Sequence, residues 1–354
     1  MLSNNCVVAI GVSGGKDSCA CALAVADYLQ QIQHRGPKLL IHADLGRTEW
    51  RDSLPMCQRL ATLIGWELVV VRRSTGDMLS RWQQRWQNNL ERYRKLLCVR
   101  LILPWSTPSM RFCTSEMKTA VICAELKRRF PNSEILNVTG IRREESRTRA
   151  KMPVTQELRH LMRPCFLGLS WHAILETTRE QVLETIANAG LELHEAYTRY
   201  RTTRVSCVFC IMGSLHDLTA AATCEENHLV YAAMVALEAE STFAFQGSRW
   251  LADVAPQLLT PELRSRIEQA KLKARQREEI ESQIPKHLLY VKGWPTCLPT
   301  WHEAKLLADV RAGIAKLLGF NAEYLRADEI LRRYSELLTR NLQRLSSRAN
   351  RPTQ

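Results

Sequence analysis

Six consecutive residues, Ser13-Gly14-Gly15-Lys16-Asp17-Ser18, have the types and spacing to hold a chain of phosphates. Two adjacent glycines let a backbone approach a ligand closely and turn N–H groups toward it. A helix starting just after them adds the partial positive charge of its N-terminus, and Lys16 adds a full one. Two more segments carry cations suited to the same guest. One is Arg111-Phe112-Cys113-Thr114-Ser115-Glu116-Met117-Lys118, the other Gly140-Ile141-Arg142-Arg143-Glu144-Glu145-Ser146. Guanidinium forks match phosphate and sulfate oxygens in bidentate geometry. A fourth segment, Arg204-Val205-Ser206-Cys207-Val208-Phe209-Cys210, contains a Cys-x-x-Cys pair. Such a pair serves zinc, an iron–sulfur cluster or thiol redox chemistry. Cys113, Cys165 and Cys224 are candidate further ligands.

These groups need a scaffold that brings them to one edge. Cys6 to Val12 is an apolar run, and an apolar-periodic stretch through Ala20, Leu23, Ala24 and Tyr28 follows the glycines. The spacing predicts a buried strand, a tight turn and a helix. Lys38 to Asp44 predicts a second strand ending in a carboxylate, Thr48 to Ile64 a helix, and Glu67 to Val71 a third strand. Glu134 to Thr139 predicts another strand, followed by Gly140, and 179–189 another amphipathic helix. A β-α-β-α-β order implies a parallel sheet with right-handed crossovers, whose ligands lie at the carboxyl ends of the strands. The glycine turn and Asp44 both fall there.

Residues 77–105 break this rhythm, interleaving Trp82, Trp86, Tyr93 and Trp105 with six basic residues. They read either as a lid or nucleic-acid surface, or as a helix with its tryptophans packed inward and its charges solvated. Beyond about 215 the chain reads as mostly helical, with a loop-like stretch at 284–303 and a polar stretch from Ser346 to Gln354. The expected division is a nucleotide-binding domain over 1–215 and a helical basic region over 216–354.

The 354 residues carry a formal net charge of +13, which favours a polyanionic partner, most simply nucleic acid. No apolar stretch reaches the ~18 residues of a membrane span, and no basic-then-apolar leader opens the sequence. The reading therefore expects a cytoplasmic protein, no membrane, and mostly reduced thiols among the twelve cysteines.

Ser13 to Ser18 resembles the PP-loop of the ATP pyrophosphatases, and it lacks the spacing of a Walker A loop. Arg111, Cys113, Thr114 and Lys118, with Gly140, Arg142, Glu145 and Ser146, resemble the family of PAPS and APS reductases and the DndC-like pyrophosphatases of DNA phosphorothioation. His42-Ala43-Asp44-Leu45-Gly46 is similar to that family's second-strand segment, with Leu45 where the family has threonine. The resemblance covers residues from about 5 to about 215. It implies an α/β fold: a parallel-sheet adenine-nucleotide alpha-hydrolase-like (PP-loop) domain, followed here by the mostly helical C-terminal region. It also implies cleavage of ATP to AMP and pyrophosphate. Ser13, Gly14, Gly15, Lys16, Asp17, Ser18, Asp44, Lys118, Gly140, Arg142 and Arg143 would bind the nucleotide. Lys16, Asp17 and Arg142 would act in catalysis, and Asp17 or Asp44 would hold Mg²⁺.

The same resemblance implies a 4Fe-4S cluster on Cys113, Cys207, Cys210 and Cys224, with zinc as the alternative. Phe112 stands where the APS reductases have the tandem partner of the cysteine matched by Cys113. The reductases' nucleophilic Glu-Cys-Gly-(Ile/Leu)-His segment has no counterpart, since the last cysteine, Cys297, lies in Pro295-Thr296-Cys297-Leu298-Pro299. The expected function is ATP-dependent adenylation supporting sulfur transfer to nucleic acid (DNA or tRNA), with a cysteine desulfurase as sulfur donor. The alternatives are a PAPS/APS-type sulfonucleotide reductase and a non-catalytic module binding ATP and nucleic acid around structural zinc.

Overall fold

The computed structural model describes residues 1–349, and side chains as far as 343. By its internal contacts the chain divides into two units. The first comprises Met1–Arg81 and Ser106–Ala233, the second Trp82–Trp105 and the chain from Met234 on.

The first unit is built on a six-stranded sheet. Its strands are β1 (Val7–Val12), β2 (Lys38–Asp44), β3 (Glu67–Arg72), β4 (Ile135–Thr139), β5 (Thr155–Glu157) and β6 (Gly168–Trp171). Their order is β3-β2-β1-β4-β6-β5. All neighbours are parallel except β5, which runs antiparallel to β6. The expected α/β class with a parallel sheet is what the chain adopts. Strands β5 and β6 have only three and four residues, too few to show a period, and all three of β5 are exposed.

Side chains alternate across the sheet, so each strand feeds two cores. Val8, Ile10 and Val12 of β1, with Leu40, Leu136 and Val138, pack against helices α1 (Lys16–Gln31) and α2 (Ser53–Ile64). Val7 and Ala9, with Leu39, Ile41 and Ile135, pack against Cys123 and Leu126 of the helix Ala120–Arg129 on the other face. Cys19, Cys21, Cys57 and Cys123 are fully or almost fully buried in these cores, behaving as small apolar residues.

The second unit is helical. It contains most of α3 (Met78–Arg94), and α4 is the Ala120–Arg129 helix of the first unit. Next come α5 (Arg179–Asn188), α6 (Leu215–Ala222) and α7 (His228–Ser241). Helices α8 (Pro261–Ser282), α9 (Trp301–Leu318) and α10 (Ala327–Ala349) complete the second unit. Trp82, Trp86, Tyr93 and Trp105 are all buried, so the tryptophans of the 77–105 stretch pack inward. Trp82 meets Trp105 edge-on at 5.4 Å, and Trp105 meets Phe245 at 5.1 Å. The loop-like stretch at 284–303 holds one short 3₁₀ turn, Lys286–Leu288, before α9 begins. Of the polar stretch from Ser346, the backbone to Ala349 continues α10 and the remainder lies outside the described residues.

Candidate functional site

Three strands run out of bulky apolar side chains at the same edge. On the α4 face, β1 reads Val7-Ala9-Gly11, β2 reads Leu39-Ile41-Ala43, and β4 reads Ile135-Asn137-Thr139. The last residues of these series line a cavity of about 240 Å³ at the carboxyl ends of the strands. Ser13, Ser18 and Gly140 close one side of it, and Thr114, Lys118 and Thr119 another. Asn137 Oδ1 and Thr139 Oγ1 are buried and have no hydrogen-bond partner in the structure. An unpaired buried polar atom costs free energy, so two of them lining one cavity mark a place for a polar ligand. The sequence reading passed over both residues. Their signal was a polar pair on the inward face of an otherwise apolar strand.

The loop beside this cavity is held by its own residues. Ser18 Oγ donates to Gly15 O at 2.8 Å and accepts the N–H of Ser13 at 3.2 Å. Gly14 takes a left-handed φ of +74°, and a Cβ there would meet Ser53 O at 3.0 Å and the His194 ring at 3.2 Å. Gly140 packs its backbone on the first turn of α1, so a Cβ would lie 2.4 Å from Asp17 O. These contacts explain glycine at both places.

Lys16, Asp17 and Arg142 form one charged chain. Asp17 accepts from Arg142 Nε at 2.6 Å and pairs with Lys16 Nζ at 3.2 Å. Arg142 also pairs with Glu144, and its N–H donates to Glu145 Oε2 at 2.8 Å. Lys16 and Arg142 are buried, at 8% and 5% exposure. Asp17 thus sets two cations at the mouth of α1. Lys118 lies on a π-helical turn, Ser115–Thr119, that leads into α4. Such turns concentrate at functional sites because they re-aim a side chain without ending the helix.

Two expected nucleotide ligands are engaged elsewhere. Arg143 pairs with Glu176 at 2.5 Å and donates to the carbonyls of Ala150 and Met152. Asp44 accepts from Gly46 N and from Arg72, both at 2.7 Å. It lines a separate hollow with Arg73, Ser74 and Asp77. As placed, Asp17 pairs with Arg142 and Asp44 with Arg72.

Cys113, Cys207 and Cys210 are partly exposed, and Cys224 is buried. Burial pushes the Cys207 thiol up to about 12; charges on Cys210, Cys113 and Glu49 act the same way, while Lys118 opposes them. Cys113, Cys210 and Lys118 are therefore electrostatic neighbours of Cys207. The backbone of Cys207 bridges Glu49, and Val208 N donates to Thr48 O at 2.8 Å, which ties the segment to the turn that follows β2. Cys210 Sγ accepts the N–H of Met212 at 3.4 Å. The Tyr200 phenol is raised to about 12, chiefly by the neighbouring Cys224 thiol and then by burial. Among the described residues, no three His, Cys, Asp or Glu side chains converge to hold a metal ion.

Two buried histidines frame the loop. Burial alone would lower the pKa of His42, but bonds to the Cys57 thiol and to Glu49 Oε2 (3.1 Å) raise it to about 10. His42 also contacts Val12 O at 3.0 Å, the last residue of β1. His194 is lowered to about 4 by burial, with Asp52 opposing and Arg59 adding. As a neutral ring it accepts Ala196 N at 3.0 Å and meets Ser53 Oγ at 3.3 Å.

No protein-family model matches the chain, and no curated protein matches it. Similar solved structures include the phosphoadenylyl-sulfate (PAPS) reductase of Candida auris in a phosphate complex. It shares 11% identity over 56% of this chain and 80% of its own, with a TM-score of 0.35. The U34-tRNA thiolase of Methanococcus maripaludis, solved with its 4Fe-4S cluster, shares 18% identity over 67% of this chain and 74% of its own, also with a TM-score of 0.35. No helix among the described residues is long and apolar enough to cross a membrane.

Proposed function

We propose that the first unit binds ATP and cleaves it between the α and β phosphates, adenylating an oxygen of a nucleic acid that sulfur then replaces. One observation carries this reading: the cavity holding the unpartnered Asn137 and Thr139 side chains adjoins the Ser13–Ser18 loop. At about 240 Å³ it is smaller than the roughly 300–1,000 Å³ of pockets that enclose a whole drug-sized ligand. It suits one end of a nucleotide, leaving the phosphates to lie along the loop and the N-terminus of α1. A polar base edge or ribose hydroxyl would satisfy Asn137 and Thr139.

In this reading the substrate oxygen attacks the α-phosphate, the bond to the bridging oxygen breaks, and pyrophosphate leaves. Lys16 and Arg142 stabilise the charge growing on the leaving group, and Asp17 holds both cations ready. Ser13, Gly14, Gly15 and Ser18 shape the cradle, Gly140 keeps it against β4, and Lys118 faces the cavity. The adenylate makes the oxygen a good leaving group for sulfur supplied by a cysteine desulfurase. A cluster at Cys113, Cys207, Cys210 and Cys224 remains an expectation of the sequence. As their thiols do not converge, no step is routed through it.

The nucleic-acid part rests on charge. Arg111, Arg201 and Arg204 are exposed, flank Cys113 and Cys207 in sequence, and carry no ion pair among the described residues. Unpaired surface arginines beside a reaction centre suit a phosphate backbone. The test is pyrophosphate release from ATP in the presence of tRNA or DNA. Release is expected from the wild type and lost in Lys16→Ala. Undiminished release by Lys16→Ala ends this assignment.

A further inference from the structure

The phenol oxygen of Tyr197 lies where a ligand of the glycine loop belongs. It accepts the N–H of Lys16, the first residue of α1, at 3.3 Å, and the N–H of Val205 at 3.1 Å. The Lys16 ammonium stands 5.2 Å from the centre of its ring. A Cβ built on Gly15 would lie 3.5 Å from this same oxygen and 3.5 Å from Val205. An oxygen that accepts a helix's first N–H next to an ammonium has the surroundings of a phosphate oxygen. The phenol is neutral, because burial raises its pKa well above the ordinary value. A neutral oxygen is a weaker acceptor than an ionised phosphate and yields to one.

The segment that presents Tyr197 is a small closed loop. Asp52 Oδ2 accepts Glu195 N at 3.2 Å, and Thr202 Oγ1 donates to Ala196 O at 2.9 Å. From Thr202 the chain runs through Val205 to Cys207, so Tyr197 holds the approach to the thiol as well as the phosphate loop.

We propose that Tyr197 is a displaceable stand-in for a phosphate oxygen, coupling occupancy of the Ser13–Ser18 loop to release of the segment that carries Cys207. This rests on the reading that phosphates bind that loop. When they do, the phenol gives up Lys16 N and Val205 N loses its partner. The 198–206 backbone then loosens ahead of Cys207.

Inorganic pyrophosphate is the probe, with binding followed by calorimetry and backbone opening by amide hydrogen exchange. On binding, exchange across 13–19 slows while exchange across 198–206 speeds up several-fold. Tyr197→Phe keeps the ring but not the oxygen. It exchanges fast across 198–206 without pyrophosphate and gains no further speed on binding. It also binds pyrophosphate roughly threefold to tenfold tighter, the weight of one competing hydrogen bond. Pyrophosphate that binds and protects 13–19 while 198–206 keeps its rate or slows overturns the gate and leaves the phosphate reading standing. Absence of pyrophosphate binding overturns both. If Tyr197→Phe fails to fold, the wild-type exchange pattern alone decides.

Discussion

Replacing Gly11 should raise stability and lower nucleotide affinity at once, an opposition that only a ligand-binding cavity at that spot produces. Gly11 is the third inward residue on the α4 face of β1 and lines the cavity floor. A Cβ built there meets only Val138 O, at 3.6 Å, which is ordinary contact. Gly11→Ala therefore introduces no clash, and removing a glycine from a strand interior stabilises by about 0.5–1 kcal/mol. For a unit of this size that raises Tm by roughly 1–4 °C. The added methyl, however, points into a cavity of about 240 Å³. One carbon too many in a shaped pocket costs ~1–3 kcal/mol, or roughly 10- to 200-fold in ATP affinity. Gly11→Leu fills much of the space and should abolish binding. Calorimetry with a non-hydrolysable ATP analogue and a thermal melt measure both quantities on the same samples. If both variants fold and bind the analogue as the wild type does, the nucleotide does not enter this cavity and the argument from Asn137 and Thr139 falls.

Gly140→Ala should do the reverse and destabilise. Its Cβ would lie 2.4 Å from Asp17 O, a backbone atom that cannot swing aside, so the melt should fall by an amount corresponding to ~1–3 kcal/mol. His42 is raised to about 10, so it binds its proton more tightly folded than unfolded. Its stabilisation is complete below its ordinary value of about 6.5 and is lost as pH rises toward 10. The stability gap between wild type and His42→Gln should shrink across that range in denaturant titrations. His194 is lowered to about 4, so the unfolded chain takes its proton first and stability falls as pH drops from about 6.5 to 4. His194→Gln should flatten that acid limb. Arg201→Gln with Arg204→Gln should leave ATP affinity unchanged while lowering the salt slope of tRNA or DNA binding by about 0.7–0.9 per lost phosphate contact, read from affinities at several salt concentrations.

The elements that place the site were legible because their sequence patterns admit one geometry. Continuous apolar runs such as Cys6 to Val12 are what a strand buried on both faces requires, and a double glycine before an amphipathic stretch fixes the turn. Strands β5 and β6 were not legible, since three or four residues show no period. They exist because β4 needs a partner on its outer side. Asn137 and Thr139 were hidden for another reason. A polar residue in a strand normally faces water, and only the register with Gly11 and Ala43 shows that these two face a cavity. Tyr197 was beyond reach, because its contact with Lys16 spans 181 positions and leaves no local trace. Arg143 shows the converse limit: a guanidinium fits a carboxylate as well as a phosphate, and here Glu176 takes it.

The two units place their buried charges against different partners. In the second unit, Arg311 is fully buried and donates to four carbonyls: Tyr93 at 2.8 Å, Arg94 at 3.1 Å, Glu323 at 2.6 Å and Tyr324 at 3.2 Å. Its donors satisfy carbonyls at the end of α3, where a cation also meets the negative end of the helix dipole. Glu238 is its anionic counterpart. It accepts three N–H groups, from Phe245, Leu251 and Ala252, and burial pushes its pKa up to about 7. Both spend their charge on fixed backbone groups. Lys16 and Arg142 are also buried, but they meet at a carboxylate, Asp17, whose hold on each is a single contact. A phosphate can compete for such cations, since Coulomb attraction to a second anion offsets the loss of the first. A cation locked on carbonyls has no comparable exchange available. On the proposed function, the chain would use the same charged residue types in two ways, as braces in the helical unit and as exchangeable partners at the mouth of α1.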